Sequence, residues 1–259
     1  MSSDDKKDPS AKRSPQNIDA ILTSWPFSTS QLSVRVAAGN DGRDVLQMRL
    51  DLGLMQLEVT GRPDGSRPHG FETFLDYLLA EEANRGLQFV FTEEECAETD
   101  REFVQFYHRR ICWLSAREFG RAAADADHTL TLMDIAKRHS PDDQWKATHE
   151  QYRPFVLFHR TQAAALDLLE RSGPEASVEA INEGLNKMKA FFAEHEAEET
   201  FDEDEMVVRL RELQGSLRKQ FDVGRTLKEQ LSDAIASEQY ELAAKLRDEL
   251  DQRGGGGQR

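Results

Sequence analysis

The chain has 259 residues, 38% hydrophobic and 31% charged, enough for one large domain or two smaller ones with real cores and a long polar perimeter. Thirty-three basic side chains against 48 acidic ones leave a net charge of −15, which repels nucleic-acid phosphate and anionic lipid; no basic run exceeds Arg109–Arg110, so direct nucleic-acid binding is not expected. No apolar run approaches the ~18 residues of a membrane span.

The N-terminal MSSDDKKDPSAKRSP holds no apolar core for a signal peptide, so secretion by that route is not expected. Cys96 and Cys112 form no Cys-x-x-Cys pair, which fits a reducing cytoplasm and offers no zinc site. Residues 1–30 read as a disordered tail, opening on Ser, Asp, Lys and Pro without periodicity. Residues 253–259, with the Gly254–Gly257 run, read as a flexible end.

Residues 31–91 read as a small α+β unit. Val34 and Val36 alternate before the turn signal Asn40-Asp41-Gly42, and Leu46, Met48 and Leu50 alternate with Gln47, Arg49 and Asp51. The apolar phase then slips at Gly53 to Met55, Leu57 and Val59, predicting an antiparallel meander of two or three strands. Gly61–Pro68 is a loop by composition. Phe71, Phe74, Leu75, Leu78 and Leu79 follow at helical spacing and predict one helix laid on the sheet.

Residues 92–205 read as helical throughout. Thr92-Glu-Glu-Glu95 is a capping box, and Phe103, Phe106, Tyr107, Arg110, Ile111 and Leu114 recur on one stripe. Breaks near Phe119–Gly120, Ser140-Pro141 and Gly173-Pro174 predict four helices, packed as a bundle or short solenoid. The first pair, with Trp113, Phe119, Ala122 and Leu130, is similar to a degenerate tetratricopeptide hairpin. Arg109–Arg110 stand where that family has Leu-Gly, and no 34-residue period follows. Glu194 to Glu205 holds eight carboxylates in twelve residues, a solvated run without the spacing that fixes a metal's geometry.

Residues 206–222 read as a coiled-coil-like helix. Met206, Leu210, Leu213 and Leu217 make a heptad seam that fails at Gln220 and Gly224. Thr226-Leu-Lys-Glu229 is a second capping box, so a kink is expected at Gly224 and a fresh helix from Leu227 to Ser237. Leu227, Leu231, Ala234 and Ile235 then form one apolar face. Tyr240, Ala243, Ala244, Leu246 and Leu250 form a returning one, with Tyr240 placed to cap the turn end of the core.

The string of spaced leucines, Ala234-Ile235, and Glu238-x-Tyr240-Glu241-x-Ala243-Ala244-x-Leu246-Arg247-Asp248-x-Leu250 resembles the UvrB/UvrC motif over residues 223–252. The resemblance implies a helical hairpin that mediates protein–protein contact, as in excision-repair subunits, a chaperone-ATPase subunit and a regulator of a protein-arginine kinase. Mapped by position, its contact face would be Leu231, Ile235, Tyr240, Ala244, Arg247 and Leu250. The chain departs from those proteins in having no Gly-x-x-x-x-Gly-Lys loop, no nuclease-like segment and no Cys-rich zinc region. A hairpin of this size buries too little apolar surface to stand alone, so part of it must meet its own chain or another molecule.

Chemistry elsewhere is thin. Gly61–Gly70, with Arg62, Arg67 and His69, could cradle an anion on backbone amides, although strand-to-helix connections have the same composition. No His-Glu-x-x-His pair or Gly-x-Ser-x-Gly elbow is present, and His195 lies in the acidic run as a solvated side chain. The sequence therefore points to a mostly helical α+β protein without enzymatic activity, cofactor or metal. It would be an adaptor holding a protein partner through the hairpin, with self-association open. The alternative is an accessory factor of nucleotide-excision repair recruited through the same hairpin.

Overall fold

A computed structural model describes residues 17–255. Among them the chain forms a three-stranded antiparallel sheet in the order β1-β2-β3, followed by a mostly helical body. Strands β1 (Val34–Ala38), β2 (Asp44–Leu50) and β3 (Gly53–Glu58) follow the period-two pattern, and no strand follows Glu58 among the described residues. Register pairs Val36 with Leu46, Leu46 with Leu57, and Met48 with both Val34 and Met55, so one face is apolar throughout. Gly42, at φ 84°, makes the first turn, a conformation that other residues adopt only under strain.

The second sheet face is where the structure departs from the alternation. Gln47 and Arg49 are buried, although their positions predict a solvated face. Gln47 accepts from Arg35 and donates to Gln56, and Arg49 meets the segment that follows α1 (Asp19–Ser24). Arg49 Nε donates to the Trp25 carbonyl at 2.8 Å, and Arg35 lies 4.2 Å above the Trp25 ring. The expected disordered tail of 1–30 is thus corrected: residues 1–16 lie outside the described residues, but 19–24 are helical and Trp25 is tied to the sheet. A cation over an indole and a charged donor on a carbonyl outweigh the poor local pattern.

Helix α2 (Phe74–Arg85) starts on a Thr73/Asp76 capping box. It was expected on the sheet. Its buried Phe74, Leu75 and Leu78 instead pack with Cys96, Leu132, Ile135 and Ala136 of helices α3 (Glu93–Ser115) and α4 (Phe119–His139). The apolar sheet face meets the other end of the same helices, with Leu46, Met48 and Leu57 against Cys112, Trp113 and Ala122. Both elements rest on α3 and α4, because those long helices carry apolar residues on more than one side. Cys96 and Cys112 are buried free thiols, which burial pushes up to about 11 and about 12.

The span 92–205 holds five α-helices instead of four. Beyond α3 and α4 lie α5 (Asp143–Glu150), α6 (Arg153–Arg171) and α7 (Pro174–Glu194). The missed break falls at Gln151–Tyr152, just before Pro154, which sits in the first turn of α6 where its missing N–H costs nothing. Helices α6 and α7 pack at close range around Gly184, whose missing side chain admits Thr161. The acidic run is partly used structurally: Asp204 caps α8, Glu194 pairs with Lys137, and Asp202 pairs with Arg211.

Helix α8 (Glu205–Phe221) turns its seam inward. Leu210 and Leu217 join Val178, Ile181, Met188 and Phe192 of α7, with Met206 and Leu213 at the margin. Its apolar stripe is thereby covered by the chain's own bundle. Helix α8 ends at Asp222, φ 52°, where Gly224 was expected to carry the break. Asp is among the few side chains that tolerate this left-handed conformation.

Candidate partner-binding hairpin

The C-terminal hairpin is built as its local chemistry dictates. Thr226 Oγ accepts from the Glu229 amide at 3.3 Å, and the Glu229 carboxylate accepts from the Thr226 amide at 2.8 Å, which starts α9 (Leu227–Ala236). Burial raises the Glu229 carboxyl, but the Thr226 amide and Arg218 outweigh it and hold the group below its ordinary value. Glu238, φ 57°, turns the chain into α10 (Tyr240–Gly255). That helix runs past Gln252, where the hairpin was expected to end, since glycine weakens a helix without by itself stopping one.

Between the two helices Leu227, Ala234, Ala243 and Leu246 are buried, with Leu231 and Leu250 packed at their edge. Every member of this small core belongs to the hairpin, so it is separate from the bundle core. The hairpin is fastened to the bundle by polar contacts. Lys228 Nζ is 2.7 Å from Glu183 Oε1, Asn182 donates to Glu229 at 3.0 Å, Thr226 donates to Glu179, and Arg218 pairs with Glu229. A cavity of about 580 Å³ remains between the hairpin and α6–α7, reached by Leu227, Lys228 and Leu250.

The six residues expected on the contact face divide into two groups. Leu231 and Leu250 belong to the interior of the hairpin. Ile235 (55% exposed), Tyr240 (69% exposed), Ala244 and Arg247 face solvent. Two expectations about the apolar faces are corrected here. Ile235 leaves the inward face of α9, and Tyr240, the first residue of α10, stands exposed outside the hairpin core. Of the paired alanines, Ala243 touches the sister helix and Ala244 does not. Tyr240, Ala244 and Arg247 lie at steps of four and three, so they share one outward stripe of α10.

The loop weighed as an anion cradle has its cations engaged. Arg62 is buried, 2.8 Å from Glu98 and 3.3 Å from Glu102; Arg67 pairs with Glu72, and His69 stacks on Tyr77 at 4.0 Å. Arg109 forks onto Asp125, with Nη2 at 2.7 Å, and its Nη1 donates to the carbonyls of Gly61 and Glu58. Sequence reasoning passed over a second opening, a cavity of about 680 Å³ between α3 and the start of α6, lined by Phe103, Tyr107, Arg110, Tyr152 and Phe155. The available signal was an arginine inside an otherwise apolar helical stripe. Among the described residues no helix is long and apolar enough to cross a membrane, and no cluster of three or more His, Cys, Asp or Glu side chains is arranged to hold a metal ion.

The family model described as the UvrB/uvrC motif matches residues 225–252, the extent of α9 and most of α10. Comparison with curated proteins and with solved structures returned no match.

Proposed function

We propose that this chain is a non-enzymatic, cytoplasmic adaptor that holds a protein partner on the outward stripe of its C-terminal hairpin. The observation that carries this reading is the exposure of Ile235, Tyr240 and Arg247 on a motif-bearing hairpin whose own core is complete. Tyrosine and arginine are the side chains that contribute most at interface centres, and an aliphatic neighbour supplies apolar area without charge. Leu231 and Leu250 act from beneath, setting the spacing of the two helices. The net charge and the burial of Arg109 and Arg110 argue against direct DNA contact.

A second reading, recruitment to excision-repair machinery, draws on the motif match. Both readings use the same face and differ in the partner. Photo-crosslinking from position 240 tests the shared premise, with Leu52, 93% exposed on the β2–β3 turn, as control. The expected result is an adduct with one other protein from 240 and none from 52. Equal labelling from both positions contradicts the assignment. An excision-repair subunit in the adduct selects the second reading.

A further inference from the structure

Among the described residues four arginines are buried. Arg62 has Glu98 and Glu102, Arg109 has Asp125, and Arg49 donates to the carbonyls of Trp25 and Gly53. Arg110, 1% exposed, has none of these partners. Its Nε donates to His159 Nδ1 at 3.3 Å and its Nη1 to Thr129 Oγ at 3.0 Å, and Nη2 has no hydrogen-bond partner among the described residues. His159 is neutral, since burial and then Arg110 itself push it down to about 4. Asp125, the acidic neighbour, is already forked by Arg109. A desolvated guanidinium whose acidic neighbour Asp125 is bonded to another arginine is costly to keep, and an anion reaching it would offset that cost.

The route for that anion is present. Arg110 lines the cavity of about 680 Å³, within the size range of small-molecule sites. Phe103 and Tyr107 of α3 face Tyr152 and Phe155 across it, and Val104 and Tyr152, about half exposed, stand at its mouth. The other ionisable lining residues are Asp100 and His149, which face each other with Asp100 Oδ1 2.8 Å from His149 Nε2. With the Asp100–His149 pair engaged with itself, one buried cation suits a single negative charge better than the multiple charge of a phosphate ester or nucleotide.

We propose that this cavity binds a small monocarboxylate with an aromatic or aliphatic body, its carboxylate on Arg110 and its apolar part among Phe103, Tyr107, Tyr152 and Phe155. The unpartnered Nη2 offers the carboxylate a charge-assisted hydrogen bond, and the aromatic walls remove the remainder of the ligand from water. The site lies apart from the hairpin and is independent of the partner it holds.

The test is calorimetric titration of the full-length protein with 4-phenylbutyrate, indole-3-propionate and decanoate, each beside its primary amide. At least one acid should bind saturably, with its amide about tenfold weaker or worse, because the amide loses the charge-assisted pair. Arg110→Met should abolish acid binding. Val104→Trp, at the exposed mouth, should leave the fold intact and weaken binding at least about tenfold by filling the cavity. The proposal is overturned if no acid binds, if acids and amides bind alike, or if Val104→Trp binds as wild type. Should Arg110→Met fail to fold, the amide comparison and Val104→Trp decide.

Discussion

Lys228 Nζ stands 2.7 Å from Glu183 Oε1, and this pair joins the first helix of the hairpin to α7 of the bundle. The contact holds Glu183 below and Lys228 above their ordinary values. The hairpin core shares no residue with the bundle core, and polar contacts of this kind fasten one to the other. Such contacts position more than they stabilise, since both side chains remain half exposed and are screened by salt.

Lys228→Glu should therefore loosen the hairpin while sparing the bundle, by placing a third carboxylate beside Glu179 and Glu183. Hydrogen exchange would read this as faster exchange across 227–252 with α3–α7 unchanged, at a global cost of about 1 kcal/mol or less. Acid should act in the same direction. A depressed carboxyl contributes above its unfolded value near 4.5 and loses that contribution as pH falls below it. Unchanged exchange in the variant would show that the polar tether does not hold the hairpin.

Gly184→Ala should be among the more damaging single-methyl changes in the chain. A Cβ there would overlap the hydroxyl and methyl of buried Thr161, forcing α6 and α7 apart. A loss of about 1–3 kcal/mol in urea unfolding is expected, and Thr161→Ala in the same chain should restore part of it.

The pH profile of stability should carry the signature of His159. Burial and Arg110 hold it at about 4 in the fold, against 6.5 when unfolded, so between these values the unfolded chain binds more protons. Stability is then fully present above about pH 6.5 and falls as pH drops toward 4, by about 3 kcal/mol from this one group. Urea midpoints across that window should flatten in His159→Gln.

The two adjacent alanines should behave oppositely. Ala243→Arg places a charged chain between α9 and α10 and should unfold the hairpin, seen as lost helicity. Ala244→Arg should leave helicity intact and act on partner binding alone, because Ala244 faces outward. Equal loss of helicity in both would mean the inward face is wrongly assigned.

What was legible in the sequence was whatever short-range spacing encodes. The Thr92/Glu95 and Thr226/Glu229 boxes, the three strands and the two hairpin helices all lie where local pattern predicts. What was illegible depends on distant partners. Arg62 looked free for an anion until Glu98, 36 residues on, came beside it. Trp25 looked like tail until Arg49 reached its carbonyl, 24 residues away. On the hairpin, a one-dimensional stripe could not show that Leu231 and Leu250 turn inward while Ile235 and Tyr240 turn out.

The most direct test of the adaptor assignment is quantitative co-purification from cells with full-length wild type and a Tyr240→Ala/Arg247→Glu double variant, with circular dichroism on both. Two changes at exposed positions should leave the fold within about 1 kcal/mol of wild type. The account predicts that helicity is unchanged and that one principal co-purifying protein falls at least about tenfold, as loss of two interface-centre side chains requires. If the folded double variant retains every protein that wild type captures, this stripe is not an interface and the adaptor assignment fails.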